Sequence, residues 1–274
     1  MQITEGEFFM DDLKRRKRRA RKLRRLRRCI WLCAAALGLI AVLHIAGSRT
    51  GTGRQQTVTA RQERSWEQKD VPESLIELAE RNPETITFVN DYKNADTNPE
   101  TIDISDDVVS GEIPLFLQWD ERWGYAYYGD DFMAITGCGP TCLSMVYCGL
   151  TNDTDMNPYA VAERAEAEGF YVEGSGSTWS MMTDLAKELG LTVNTVTFDE
   201  THIKTELQNG HPVICIMGPG DFTTTGHFIV LTGVDEDGSV HVNDPNSRNN
   251  SKKAWKLENI MPQIRNLWSY CYNS

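Results

Sequence analysis

The stretch Ile135-Thr136-Gly137-Cys138-Gly139-Pro140-Thr141-Cys142-Leu143-Ser144-Met145-Val146 places a cysteine at the predicted start of an apolar helix. Pro140 fits the first turn of a helix, because that turn needs no backbone N–H, and the apolar residues after it predict a helix that stops at Gly149. Free N–H groups and the helix dipole at this edge favour the thiolate of Cys138. The thiolate is the form of cysteine that attacks carbonyl groups, so Cys138 is a candidate nucleophile.

Packing in the core is the alternative role for Cys138, because free cysteine is among the most buried residue types. Cys142 lies one helical turn further on, among core-like neighbours, and we interpret it as a packing residue. Two of the seven cysteines precede residue 48 and five follow it, and an odd number leaves at least one thiol unpaired. No spacing predicts a disulfide framework or a structural zinc site. A metal site made of Cys138, Cys142 and His227 is a weaker alternative, and we expect no cofactor.

Charge is distributed unevenly along the 274 residues. The segment from Lys14 to Arg28 contains 12 of the 28 Lys and Arg residues, whereas 35 of the 39 Asp and Glu residues follow it. The basic block is therefore an appendage of an acidic chain. A nucleic-acid-binding patch normally belongs to a folded basic surface, so we expect no nucleic acid partner.

An apolar run from Cys29 to Ala46 follows the basic block, interrupted only by Gly38 and His44. Its length is at the lower end of what spans a bilayer, and Lys and Arg stay on the cytoplasmic side. We predict a basic cytoplasmic tail at residues 1–28 and a transmembrane signal-anchor at 29–47, with the rest of the chain extracellular. A cleaved signal peptide is the alternative, but the run exceeds the usual length of about 7–15 residues.

Three further segments are predicted after the anchor. Residues 48–70 are polar and form a linker. Residues 71–112 form a helical neck or flank, in which an amphipathic helix runs from Pro72 to Arg81 and a second short helix follows Pro83. Residues 113–274 form the main domain, which has the size of one ordinary domain.

Helix signals precede strand signals within the main domain. The predicted helices start at Cys138, Asn157-Pro158, Trp179 and Asp199, and they end near Gly149, Gly169, Leu189 and Gly210. The predicted strands are Thr192–Thr197, Pro212–Met217, Phe228–Val234 and Ser239–Asn243. Helices followed by an antiparallel sheet predict an α+β domain with the cysteine helix packed on the sheet.

His227 is the histidine whose position best suits a proton shuttle for a thiolate. It begins an apolar strand, and the turn at residues 235–238 leads into the next strand. With a four-residue loop, Asp244 lies opposite Ile229 and diagonal to His227, about 7–8 Å away between backbones, while His241 faces the other way. A hairpin loop with an odd number of residues would reverse this preference for His227 over His241. A purely structural role is the alternative for His227.

The order Cys, His, Asp, with the nucleophile at a helix start and the base on a sheet, is the logic of papain-like cysteine peptidases. More specific motifs are Ile113-Pro114, Gln118-Trp119-Asp120-Glu121-Arg122-Trp123-Gly124, Gly137-Cys138-Gly139-Pro140-Thr141, Gly226-His227-Phe228 and Asn243-Asp244-Pro245. Together they resemble the bacteriocin-processing (double-glycine leader) peptidase-like family of bacterial cysteine peptidases. The resemblance implies a papain-like fold, with Cys138 as nucleophile, His227 as general base and Asp244 orienting the imidazole. It also implies that Gln118 and the Cys138 N–H form the oxyanion hole.

The function predicted from these features is a membrane-anchored extracellular cysteine peptidase that hydrolyses peptide bonds through a thioester. Its partners would be a peptide or protein substrate and the membrane. A papain-like hydrolase of peptidoglycan cross-links, acting on cell-wall peptides, is one alternative, and a non-catalytic surface-binding module is another. The chain departs from leader-processing members in lacking a P-loop pattern and in having one apolar span, which leaves the substrate open.

Overall fold

The structure, a computed structural model, describes residues 65–66 and 70–273. The predicted basic tail, the predicted transmembrane signal-anchor and most of the predicted linker lie outside the described residues. Within the described part of the chain, no helix combines the length and apolar character needed to cross a membrane.

Helices occur both before and within the main domain. In chain order the α-helices of the described residues are α1 (Glu73–Arg81), α2 (Ile86–Asn90), α3 (Met133–Thr136), α4 (Cys138–Thr151), α5 (Pro158–Ala167), α6 (Asp184–Glu188), α7 (Glu200–Gln208), α8 (Arg248–Ser251) and α9 (Leu257–Ile260). Short 3-10 helices lie at Pro83–Thr85, Tyr92–Asn94, Trp179–Met182 and Met261–Gln263. The predicted helices after Pro72, Asn157 and Asp199 are thereby confirmed.

Strands form one large sheet and two small hairpins. They are β1 (Tyr127–Tyr128), β2 (Asp131–Phe132), β3 (Tyr171–Val172), β4 (Gly176–Ser177), β5 (Thr192–Thr195), β6 (Val213–Met217), β7 (His227–Val234), β8 (Ser239–Asn243), β9 (Ala254–Lys256) and β10 (Ile264–Cys271). The six-stranded sheet has the order β5-β10-β6-β7-β8-β9, and every neighbouring pair is antiparallel. The predicted α+β class is confirmed.

Helix α4 continues past its predicted stop at Gly149. A Cβ atom at Gly149 would lie only 2.5 Å from Cδ1 of Ile113, so this glycine permits close packing inside the helix. The helix ends instead at Thr151, and its C-cap Asn152 has a left-handed φ of 59°. The predicted helix from Trp179 to Leu189 also differs, because it is a 3-10 helix followed by the separate α6.

The sheet is buried on both sides near its centre. One face packs with α7 and α9 in an apolar cluster that includes Ile203, Cys215, Ile229 and Ile260, and α4 contacts β7. All five residues of β6 are buried. Helix α4, which begins at Cys138, is thus set against a central strand of the sheet.

A second apolar cluster joins α1 and α2 to the main domain. Leu75 and Val89 are fully buried and belong to the same cluster as Leu117, Trp119 and Phe132. The rings of Phe88 and Tyr125 stack with centroids 4.1 Å apart, and the Tyr125 hydroxyl donates to the Phe88 carbonyl. The predicted helical neck or flank therefore packs directly on the segment between residues 117 and 134.

Candidate active site

Cys138 is the first residue of α4, after the N-cap Gly137. The backbone N–H groups of Gly139 and Phe228 and the side chain of His227 lie close to its thiol and lower its pKa. Gly139 has no room for a side chain, because a Cβ there would lie 2.6 Å from Oγ of Ser177. Cys138 is half-buried, so a side chain of another molecule can reach it.

His227 lies between Cys138 and Asp244. Its Nε2 is 2.7 Å from Oδ1 of Asp244, and both side chains are almost completely buried, at 7% and 1% exposure. The thiol of Cys138 hydrogen-bonds to the same imidazole. Because Nε2 is engaged by Asp244, Nδ1 is the nitrogen that faces the thiol. The structure therefore brings these three sequence-predicted residues together.

Four residues, 235–238, lie between the end of β7 at Val234 and the start of β8 at Ser239, as predicted. The residue paired with Val234 is Val240 rather than Ser239, so the pairing next to the turn is offset by one residue from the predicted register. Such an offset, continued along the hairpin, would turn Asp244 to the face opposite His227, because side chains alternate along a strand.

A β-bulge at Thr232 restores the alternation. The pairing of β7 with β8 shifts between Leu231 and Gly233, where Thr232 is the extra residue. Beyond this shift the register is the one that a four-residue loop would give, and Asp244 meets His227. The predicted contact between His227 and Asp244 is therefore present.

Electrostatics favour a thiolate beside an imidazolium. Burial alone would raise the pKa of Cys138, but the hydrogen bond and charge of His227 and two backbone N–H groups outweigh it, so the pKa is lowered. Burial alone would lower the pKa of His227, yet the Asp244 carboxylate and Cys138 raise it above its ordinary value. Opposite shifts of neighbouring groups are expected for a charged pair that attacks carbonyl carbon.

Cys142 differs from Cys138 in its burial and in the direction of its pKa shift. It is fully buried, and burial raises its pKa well above the ordinary thiol value. Burial also raises the pKa of Cys148 to about 12 and that of Cys215 further. The five cysteines of the described residues are all free thiols. Cys138 is half-buried and has a lowered pKa, whereas Cys142, Cys148 and Cys215 are buried and have raised pKa values.

The Asp244 carboxylate is fixed by three donors. Its Oδ1 accepts from His227 and from the backbone N–H of Asn246 at 2.9 Å, and its Oδ2 accepts from Nδ2 of Asn250 at 2.8 Å. The Asp244 N–H donates to Oγ of Ser251. The sequence analysis missed Asn246, Asn250 and Ser251. The Asn- and Ser-rich run after Pro245 predicts local side-chain to backbone bonds, but nothing in it indicates that they converge on Asp244.

Gln118 is buried next to the same loop. Its backbone N–H donates to the carbonyl of Pro245 at 2.8 Å, and its Nε2 donates to the carbonyl of Ala134. The Nε2 group carries two N–H donors, and the bond to Ala134 occupies one of them. Its Oε1 is buried and accepts no hydrogen bond from the described residues. The position beside Pro245 fits an oxyanion donor, and that role remains a prediction.

The other histidines of the described chain form separate pairs. His241 is exposed, and its Nε2 is 2.8 Å from Oδ1 of Asp235, so it faces away from Asp244. His202 and His211 pair with Asp199 and Glu206, respectively. No group of three His, Cys, Asp or Glu side chains in the described part of the chain is arranged to bind a metal ion, including the alternative site at Cys138.

A cysteine at a helix start, facing a histidine on an antiparallel sheet, defines the papain-like class of cysteine peptidases. Residues 111–274, more than half of the chain, match the model of the Peptidase_C39 like family. The chain therefore belongs to the Peptidase_C39 like family, and the resemblance derived from its motifs is confirmed. Membership supports a cysteine peptidase with a peptide or protein substrate.

Among solved structures, the chain is similar to the peptidase domain of Streptococcus ComA, a bifunctional ABC transporter involved in a quorum-sensing pathway. The two are 19% identical, the TM-score is 0.40, and the match covers 50% of this chain and 93% of that domain. No curated protein matches the chain.

Proposed function

We propose that this protein is a membrane-anchored, extracellular cysteine peptidase that hydrolyses peptide bonds with Cys138, His227 and Asp244. The observation that carries the proposal is that one imidazole contacts both the thiol at the start of α4 and a buried carboxylate. A histidine that served only the core would need no accessible thiol of lowered pKa beside it.

Acylation begins with the Cys138 thiolate, which attacks the carbonyl carbon of the scissile peptide bond and gives a tetrahedral oxyanion. The N–H of Cys138 and the amide of Gln118 donate to this oxyanion, and one such donor typically contributes about 2.7–4 kcal/mol of transition-state stabilisation. As the C–N bond breaks, the protonated imidazole of His227 gives its proton to the leaving amine. The product of this step is a thioester on Cys138.

Deacylation reverses the roles at the same atoms. His227, now neutral, takes a proton from water, and the resulting hydroxide attacks the thioester carbonyl. The C–S bond breaks, the acid product leaves and the thiolate is restored with its imidazolium partner. Asp244 keeps Nε2 as the N–H tautomer throughout, so that Nδ1 always faces the reacting atoms.

Membrane anchoring rests on the sequence alone. The basic segment before Cys29 and the apolar run after it support an N-terminus inside and residues 113–274 outside. Protease shaving of intact cells would remove the domain and leave a small anchored fragment. Recovery of the whole domain in the medium would favour a cleaved signal peptide instead.

Activity is tested with the full chain, purified in detergent, against a peptide library and purified peptidoglycan in parallel. Labelling by an iodoacetamide probe that Cys138→Ala abolishes, together with turnover of library peptides, supports the proposal. Release of cross-link peptides alone would identify a cell-wall hydrolase. Absence of turnover and of Cys138-dependent labelling would identify a non-catalytic module.

A further inference from the structure

Two polar side chains of the N-terminal part of the flank, residues 71–95, contact the loop that follows Asp244. This flank lies ahead of residues 111–274, which the family model matches. Apolar packing seats it on the main domain. Asn82 and Glu84 are the residues that extend beyond this packing toward the loop at 244–250.

Asn82 joins the end of α1 to the carbonyl of Asn246. Its Nδ2 donates to that carbonyl at 2.6 Å and to Oδ1 of the same residue at 3.2 Å, while its Oδ1 accepts from the N–H of Glu84. The carbonyl of Asn246 also accepts from Nε1 of Trp119 at 3.0 Å. Two donors from different segments, Asn82 and Trp119, therefore fix the carbonyl of Asn246. The backbone N–H of Asn246 in turn donates to the Asp244 carboxylate.

Glu84 binds the same loop at Ser247 and Asn249. Its Oε1 accepts from Oγ of Ser247 at 2.5 Å, and its carboxylate accepts from the N–H of Asn249 at 3.3 Å. Oγ of Ser247 accepts from the N–H of Asn250, which caps α8. Asn250 is the residue whose Nδ2 donates to Oδ2 of Asp244.

Both paths end on the two oxygens of one carboxylate. Asn82 supports the donor to Oδ1 through Asn246, and Glu84 supports the donor to Oδ2 through Ser247 and Asn250. Each intermediate contact is a hydrogen bond between half-buried groups. A shift of the loop would therefore rotate the Asp244 carboxylate relative to His227.

We propose that Asn82 and Glu84 are positioning residues of the active site, and that the flank at residues 71–95 is part of the catalytic unit. They touch neither the thiol nor the imidazole and act through the orientation of Asp244. The inference rests on the proposed function, in which Asp244 holds the His227 imidazole.

Few charged groups complicate the readout of this effect. The Asp244 carboxylate acts electrostatically on His227, and Cys138 interacts electrostatically with Tyr128 and Cys142. Burial raises the pKa of the Tyr128 hydroxyl and of the Cys142 thiol, so both are neutral through the acid range. Asp244 is thus the charge whose position decides how strongly the imidazolium supports the thiolate.

The test measures the alkylation rate of Cys138 against pH in the full chain in detergent, with iodoacetamide as the probe and no substrate. In Asn82→Ser, serine still caps the turn at Glu84 but is too short to reach Asn246. In Glu84→Ala, Ser247 loses its acceptor. We expect both profiles to shift toward higher pH and the rate in the acid limb to fall about three- to tenfold, the size of a partly lost hydrogen bond to a charged group.

Two controls distinguish positioning from general destabilisation. Ser74→Ala removes a hydrogen bond of the same flank to Asp131, away from the Asp244 loop, and should leave the profile unchanged. Glu84→Gln keeps an acceptor for Ser247 and should restore most of the acid-limb rate.

Unchanged profiles in Asn82→Ser and Glu84→Ala, with wild-type Cys138 still reactive at acid pH, would overturn the inference and leave the proposed function intact. A shift in Ser74→Ala equal to theirs would also overturn it. A wild-type thiol with an ordinary profile would instead refute the proposed function itself.

Discussion

The backbone N–H of Gln118 donates to the carbonyl of Pro245, the residue that follows Asp244. This bond joins the segment that carries the proposed oxyanion donor to the loop that orients His227. A neighbouring bond from Trp119 to Asn246 reinforces it. The two functions of the proposed site, stabilising an oxyanion and orienting a base, are therefore attached to each other rather than to independent loops.

The single variants Cys138→Ala and His227→Ala should each reduce turnover to a similar residual level. The double variant should be scarcely worse, because neither residue is useful without the other. Asp244→Asn should be milder, since it mis-orients the imidazole but keeps its shape. Steady-state kinetics on a library-derived peptide measures these effects. Near-normal turnover of His227→Ala would remove it from the mechanism, and His241→Ala serves as the matched control that should retain activity.

Alkylation of Cys138 should persist at pH values where ordinary thiols, with a pKa near about 8.5, are protonated. The pKa of Cys138 is lowered in the folded protein, so the thiolate survives as pH falls and is lost only when pH passes below that lowered value. Mass spectrometry after iodoacetamide treatment locates the modified residue. Cys142→Ala should keep the acid reactivity, and modification of Cys142 in its place would contradict the assignment.

Gln118→Ala should lower kcat while leaving thiol alkylation largely intact. The amide is proposed to donate to the oxyanion, which exists only during acyl transfer, whereas alkylation forms none. The expected loss is up to about 10²–10³ in kcat. Equal losses in both assays would mean that Gln118 supports the fold through Ala134 and Pro245 instead.

Leu75→Ala should destabilise the whole catalytic domain and not only the flank. Leu75 is fully buried in the cluster that joins α1 to the main domain, and such truncations cost about 2–5 kcal/mol. Chemical denaturation followed by tryptophan fluorescence measures the change in the free energy of unfolding. A separate early transition for the flank would contradict the single packed unit, and exposed Glu80→Ala is the control.

The sequence was sufficient to predict which residues meet at the candidate site but not the details that align them. The candidate nucleophile Cys138 was predicted from local signals, a helix start and its glycines, and these act over a few residues. The partner of His227 depended on hairpin register, and the bulge at Thr232 has no local signature, since it compensates a one-residue offset in the pairing at the turn. Strand parity is a property of the whole hairpin.

Strand β10 was missed altogether for a related reason. Its sequence, Ile264 to Cys271, contains Arg265 and Asn266 near a register shift, so the alternation expected of a strand is broken there. Its partners, β5 and β6, come from elsewhere in the chain. Pairing with distant strands, and not local preference, defines it.

The position of β10 sets the order in which the chain can fold as it is made. Thr195 in β5 pairs with Trp268 in β10, so β5 leaves the ribosome long before its neighbour exists. The loop-closure entropy of such a distant pairing makes this step slow. Cys138, His227 and Asp244 are all synthesised before the sheet is complete. A chain interrupted before residue 264 therefore carries every residue of the proposed triad but lacks the strand that joins β5 to β6 in the sheet.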